Sequence, residues 1–249
     1  MSGLKTGRYL QLWRALLCAA AMALTGQAVS SDPLPPLPTD AREEWAAVGR
    51  VNGAGVGLLQ GCTGTLIAPD LVLTAAHCTG ADRTIPIKRH FVGGWDRGEF
   101  VAHRLSREVI AHPAYQIAQG NNRFRFDVAL VWLEEPIPPS LIKPVPLVEQ
   151  TGALPERVGL IGYHNKRPHL LNGRFDCPIG FAQGRRMLSI QCEVIGGNSG
   201  GPVLVPHEGG WAVSAVIVAR AGPLGHALAV PVGDWILGHW REAVARAAQ

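Results

Sequence analysis

The sequence has no long Lys/Arg run, no Cys-x-x-Cys pair, no repeat of fixed period and no apolar stretch long enough to cross a bilayer as a permanent helix. Each absence excludes a class. Without a basic run or a basic-aromatic stripe, a nucleic-acid partner is not expected. Without paired Cys-x-x-Cys spacing, a zinc centre is not expected, and the site requires no metal or cofactor. Aromatic residues make up only 6% and charged residues 17%, while 47% are hydrophobic. That balance suits a folded chain rather than a disordered one.

The formal charge of +4 is concentrated at one end. Residues 1–30 hold Lys5, Arg8 and Arg14 and no acid, and the rest of the chain carries 20 basic against 19 acidic residues, a net of +1. The basic start precedes a ten-residue apolar run, Ala15–Leu24, and the small-residue site Ala28-Val29-Ser30. This is the pattern of a secretory signal covering residues 1–30. It implies a secreted or periplasmic protein with no stable membrane association once the signal is removed.

What is abundant is Gly, 30 residues, and Pro, 19. Residues 31–47 begin with a Pro-rich stretch expected to be extended and poorly packed, a linker or a pro-segment. From Val48 the pattern is short apolar runs punctuated by Gly, Pro and Asn. Strands are expected at Val56–Gln60, Gly64–Ala68, Leu71–Ala76, Arg104–Ala111, Val128–Leu133, Arg157–Gly162, Arg186–Glu193, Pro202–Val205, Ala212–Val218 and Ala227–Val230. Such spacing without intervening helices indicates an all-β sandwich or barrel. One helix is expected, over 234–247, capped by Asp234 and apolar at Trp235, Ile236, Trp240 and Val244. The Pro-rich run from Glu135 to Pro146 divides the chain into two halves. Apart from Cys18, four cysteines remain, Cys62, Cys78, Cys177 and Cys192, an even number that in an exported chain argues for two disulfides.

Three segments carry chemistry. In Gly196-Gly197-Asn198-Ser199-Gly200-Gly201-Pro202, a serine among glycines can sit on a tight turn with its hydroxyl exposed, and the N–H groups of Gly197 and Ser199 can converge as an oxyanion hole. In Thr74-Ala75-Ala76-His77-Cys78, a strand leads into a histidine whose neighbour Cys78 can be tied back to Cys62. In Phe126-Asp127-Val128-Ala129-Leu130, an aspartate opens an apolar strand, where a buried carboxylate needs a donor such as an imidazole N–H. Base, orienting acid and nucleophile are the parts that acyl transfer by a serine requires.

These motifs, in the order His, Asp, Ser and separated by 50 and 72 residues, closely resemble those of the trypsin-like, chymotrypsin-fold serine peptidases. Ile110-Ala111-His112-Pro113-Ala114-Tyr115 resembles a further family segment. The resemblance spans about Val48 to Trp240. It implies two antiparallel six-stranded β-barrels, over about 48–135 and 145–232, with the site between them and the C-terminal helix 234–247 after them. It also implies His77, Asp127 and Ser199 as catalytic residues, a polypeptide substrate, a monomer, and a disulfide Cys177–Cys192 beside the specificity pocket. Counting back from Ser199 puts Glu193 at the pocket floor, where a carboxylate favours Lys or Arg at the cleavage site. Ile217, Val218 and Ala219 would form a wall, and His226 could approach the pocket as in glutamyl-specific relatives.

The sequence departs from the animal enzymes in two places. Asn198 stands where their zymogens have an aspartate that pairs with a freed N-terminus, and Val51 of Arg50-Val51 lies only 11 residues before Cys62, too close for the usual first strand. Activation by insertion of Val51 is therefore not expected, and the chain looks closer to the bacterial branch that includes glutamyl endopeptidases. A catalytically silent binding protein on the same fold is the alternative reading.

Overall fold

A computed structural model describes residues 33–57, 61–81, 87–149, 155–182 and 186–249. The expected signal, residues 1–30, lies outside them. The body is two closed six-stranded antiparallel β-barrels followed by a C-terminal helix. The first barrel contains β1 (Val48–Asn52), β2 (Cys62–Ala68), β3 (Leu71–Thr74), β4 (His90–Gly93), β5 (Ala102–Ala111) and β6 (Ala129–Leu133), paired in the order β1-β2-β3-β6-β5-β4. The second contains β7 (Arg157–His164), β8 (Arg167–Ala182), β9 (Met187–Glu193), β10 (Pro202–His207), β11 (Gly210–Ala221) and β12 (His226–Pro231), paired in the order β10-β11-β12-β9-β8-β7.

The apolar runs account for most strands. Ala129–Leu133 and Leu71–Thr74 are buried throughout, as continuous apolar runs between turn signals should be. The Pro69-Asp70 turn folds β3 back on β2, pairing Leu66 with Val72 and Thr65 with Leu73. Three strands had weak signals. β1 carries Arg50 and Asn52, β4 has only four residues, and β8 runs for 16 residues through Pro168, Gly173 and Pro178 with register shifts against β7. The strand expected at Val56–Gln60 does not form at 56–57, and 58–60 lie outside the described residues. Asn52 is the reason: its Oδ1 accepts hydrogen bonds from the N–H groups of Ala54 (2.9 Å) and Gly55 (2.8 Å), turning the chain away from the ladder.

Two expectations about the ends need correction. Residues 33–37 are not poorly packed. Leu34 and Leu37 are buried against the second barrel, and Pro36 bridges Asn172 on β8. They lead into a short helix, α1 (Thr39–Glu44). In the C-terminal helix, α2 (Asp234–Ala247), Gly233 occupies the cap position and Asp234 lies in the first turn, where its charge meets the helix dipole. The buried face of α2 is Ile236, Leu237 and Ala243, while Val244 is 45% exposed. Trp240 anchors α2 to the first barrel through Nε1–H to the Ile67 carbonyl, 2.9 Å.

Candidate active site

The site is built where the two barrels meet. β3 ends at Thr74 and runs into a short 3-10 helix, Ala76–Thr79, that presents His77. Gly80 closes this helix at φ 64°, and the Cys62–Cys78 disulfide ties it to β2. A second 3-10 helix, Gly120–Phe126, delivers Asp127 just ahead of β6. Asp127 is only 3% exposed. Its Oδ1 accepts from the backbone N–H of His77 at 2.9 Å and its Oδ2 lies 2.7 Å from His77 Nδ1. A backbone N–H can only donate, so the carboxylate fixes both the position and the tautomer of the ring. Nδ1 carries the proton and donates to Oδ2, and Nε2 is left as the basic nitrogen.

Ser199 sits in a turn that only glycine neighbours permit. Gly197 (φ 104°) and Gly200 (φ 81°) are in the left-handed region. A Cβ on Gly200 would come within 2.1 Å of the Thr63 carbonyl, and one on Gly197 within 2.7 Å of His164 Cα. Two peptide planes of the turn are pinned through their carbonyls. Gly196 C=O accepts from Asn165 N–H at 2.9 Å, and Asn198 C=O accepts from Gly201 N–H at 2.9 Å. In a trans peptide the N–H points opposite to the C=O. The N–H groups of Gly197 and Ser199 are thereby turned the other way, and neither has a partner among the described residues.

Thr63, which the motif reading missed, holds this turn from the first barrel. Its N–H donates to Ser199 C=O (2.8 Å), its hydroxyl donates to Gly197 C=O (2.8 Å), and the same oxygen accepts from Tyr163 N–H (3.0 Å). Its own carbonyl accepts from the Thr74 hydroxyl at 2.7 Å. Its partners in the second barrel lie 100 residues away or more, so no local pattern marks Thr63.

The sequence profile of the trypsin-like peptidase domain matches residues 62–211, which include His77, Asp127 and Ser199. The chain belongs to the trypsin-like peptidase family. Its enzyme class is the serine-type endopeptidase. No curated protein matches it in sequence. Among solved structures, it is similar to the protease Anisep from Arthrobacter nicotinovorans, with 15% identity, a TM-score of 0.64 and coverage of 86% of this chain and 98% of that one. It is also similar to a Glu endopeptidase solved in complex with MPD, with 15% identity, a TM-score of 0.70 and coverage of 87% and 99%. At that identity the likeness is one of fold.

Within this trypsin-like peptidase, a cleft of about 360 Å³ is lined by His77, Asp127, Tyr115, Gly120, Arg123, Phe124 and Val218. Val218 thus lines the same cleft as the histidine and aspartate. Ile217 does something else. Its N–H donates to Gly201 C=O (2.9 Å) and its C=O accepts from Gly200 N–H (2.7 Å), while its side chain is buried in the second-barrel core. Ala219 follows a β-bulge on β11. Glu193, at the end of β9, lies directly opposite His226 on β12. The two candidate selectors are therefore neighbours, and both are half-buried.

Asn198, fully buried, completes the turn without any ion pair. Its Oδ1 accepts from Ile195 N–H (3.0 Å) and its Nδ2 donates to Tyr163 C=O (3.1 Å). Val51 is buried in the middle of β1, paired with Cys62 on one side and Phe91 on the other. The disulfides are Cys62–Cys78 and Cys177–Cys192. Sγ of Cys62 and Cys78 and a ring nitrogen of His77 lie within 4.8 Å of one another, but the sulfurs are joined and offer no thiolate to a metal.

Proposed function

We propose that this peptidase hydrolyses peptide bonds through an acyl-enzyme formed on Ser199, with His77 as base and Asp127 as its orienting carboxylate. The observation that carries the reading is the double contact of Asp127 with His77, which in the neutral ring holds the proton on Nδ1 and makes Nε2 the basic nitrogen. The Ser199 hydroxyl attacks the scissile carbonyl as Nε2 takes its proton. The imidazolium that forms is stabilised by the buried Asp127 carboxylate, then returns the proton to the leaving amine. Negative charge collects on the carbonyl oxygen, where the N–H groups of Gly197 and Ser199 receive it. Water, activated by the same nitrogen, releases the acyl group. This chemistry requires no cofactor.

The substrate is a polypeptide, and the enzyme acts outside the cytoplasm. The two disulfides support an oxidising compartment, and the N-terminal pattern supports export. Glu193 and His226 together set preference at the cleavage site. We expect steady-state peptide hydrolysis by the parent and a pre-steady-state burst with an activated ester. Loss of both in Ser199→Ala and His77→Ala supports the reading. Hydrolysis that persists in Ser199→Ala overturns it. A folded parent with no hydrolysis favours the binding protein.

A further inference from the structure

We propose that residues 33–37 are a strap that positions the oxyanion turn through His164, so that an intact N-terminal segment is part of the working enzyme. The inference rests on the reading of Gly197 and Ser199 as oxyanion donors. Leu34 is buried in the second-barrel core. Around it the chain is held by its carbonyls: Pro35 C=O accepts from Gly173 N–H at 2.8 Å, and Leu34 C=O accepts from Arg167 Nη1 at 3.3 Å and lies 3.2 Å from His164 Nε2. Farther along, Leu37 N–H donates to Leu171 C=O at 3.1 Å.

His164 is 1% exposed and sits at the β7–β8 turn. Its Nδ1 accepts from Arg167 N–H at 3.1 Å, so Nε2 carries the proton and donates to Leu34 C=O. The ring therefore joins the strap to the turn of the hairpin. Both chain neighbours of His164 grip the nucleophile turn. Tyr163 C=O accepts from the Asn198 side chain (3.1 Å), and Asn165 N–H donates to Gly196 C=O (2.9 Å). The second of these bonds sets the orientation of the Gly197 N–H. Close packing makes the link stiff: there is no room for a Cβ between Gly197 and His164 Cα. The hairpin thus has the neutral Asn198 amide on one side and the strap on the other.

The test uses the full secreted chain with Leu34→Asp, His164→Leu and His164→Gln. Leu34→Asp evicts the strap. The leucine removes the ring donor, and the glutamine amide can still donate to Leu34 C=O. The quantities measured are the circular dichroism spectrum, kcat and KM on a peptide substrate, and the rate constant for labelling by a fluorophosphonate. With a native spectrum, Leu34→Asp and His164→Leu are expected to lose roughly 10- to 100-fold in kcat and in labelling rate, with KM within about twofold, because misplaced oxyanion donors act on the transition state. His164→Gln is expected to keep most of the parent's kcat. If Leu34→Asp does not fold, the His164 pair decides. Folded variants with the parent's kcat, however reduced their stability, overturn the strap and leave the serine peptidase reading intact, provided Ser199→Ala is inactive. A folded, inactive and unlabelled parent overturns both.

Discussion

The hydroxyl of Thr63 donates to the carbonyl of Gly197 at 2.8 Å, joining the first barrel to the nucleophile turn of the second. That contact holds the peptide that lies between the two carrying the donors of the proposed mechanism, and the N–H of this middle peptide, on Asn198, donates to Ile195 C=O at 3.1 Å. Because the Thr63 hydroxyl oxygen also accepts from Tyr163 N–H, its removal leaves one carbonyl and one N–H unsatisfied in a buried joint. Thr63→Val preserves shape and removes both bonds. The expected result is a fall in kcat of roughly 10- to 100-fold with KM little changed, from a loss of about 1–3 kcal/mol. Thr63→Ser should stay near the parent. Steady-state kinetics on both variants checks this.

Asp127→Asn keeps the shape of the acid and changes its hydrogen bonding. Oδ1 and Oδ2 both accept from His77, and an amide has one acceptor and one donor end. With the acceptor retained for the backbone N–H, the amide N–H faces Nδ1 and drives the ring proton to Nε2, where a base is needed. The expected loss is roughly 10³- to 10⁴-fold in kcat, measured on a folded variant. A loss under tenfold would remove Asp127 from the mechanism.

Asn198→Asp restores the acid of the animal zymogens without the cation that pairs with it. One carboxylate oxygen can still accept from Ile195 N–H, but the other would face the Tyr163 carbonyl, which only accepts. The charge is buried and repelled. Urea denaturation should show a loss of about 1–3 kcal/mol or more, with kcat falling as the turn distorts. An aspartate variant as stable and active as the parent would show that the amide is not required.

Stability should fall on mild acidification. Burial pushes His90, His103 and His112 below the ordinary value of 6.5, and His103 also feels His90 and Arg104. His90 Nδ1 and His103 Nε2 lie 2.8 Å apart, a contact that needs one nitrogen unprotonated. In the unfolded chain these rings take up protons as pH falls through about 6.5, before the folded protein does. Stability from the depressed pKa is therefore present above that value and lost as pH falls toward the folded-state pKa. The urea midpoint should drop between pH 7.5 and pH 5, and less steeply in His103→Gln.

The legible and illegible parts of the chain separate by range. His77, Asp127 and Ser199 each lie in a local motif whose glycines or apolar runs follow from turn and strand geometry, so their surroundings could be read directly. Most strands announced themselves as buried apolar runs. β1 did not, because Arg50 and Asn52 interrupt it, and their burial depends on distant partners such as the Trp95 ring, 4.6 Å from the Arg50 guanidinium carbon. β8 was hidden by Pro168, Gly173 and Pro178, which bends and register shifts accommodate. Pro-rich composition suggests a loose strap, yet its carbonyls still accept and Leu34 and Leu37 are buried. Thr63 and His164 were invisible for a different reason: their roles consist of bonds to residues far along the chain.

The most direct test of the central claim is to treat the disulfide-bonded protein with a fluorophosphonate and map the adduct by mass spectrometry of its peptides. A single adduct on Ser199, absent from Ser199→Ala and strongly slowed in His77→Ala, is the expected result. No adduct on a folded parent, or an adduct on another residue with Ser199 unmodified, would contradict the assignment of Ser199 as the nucleophile.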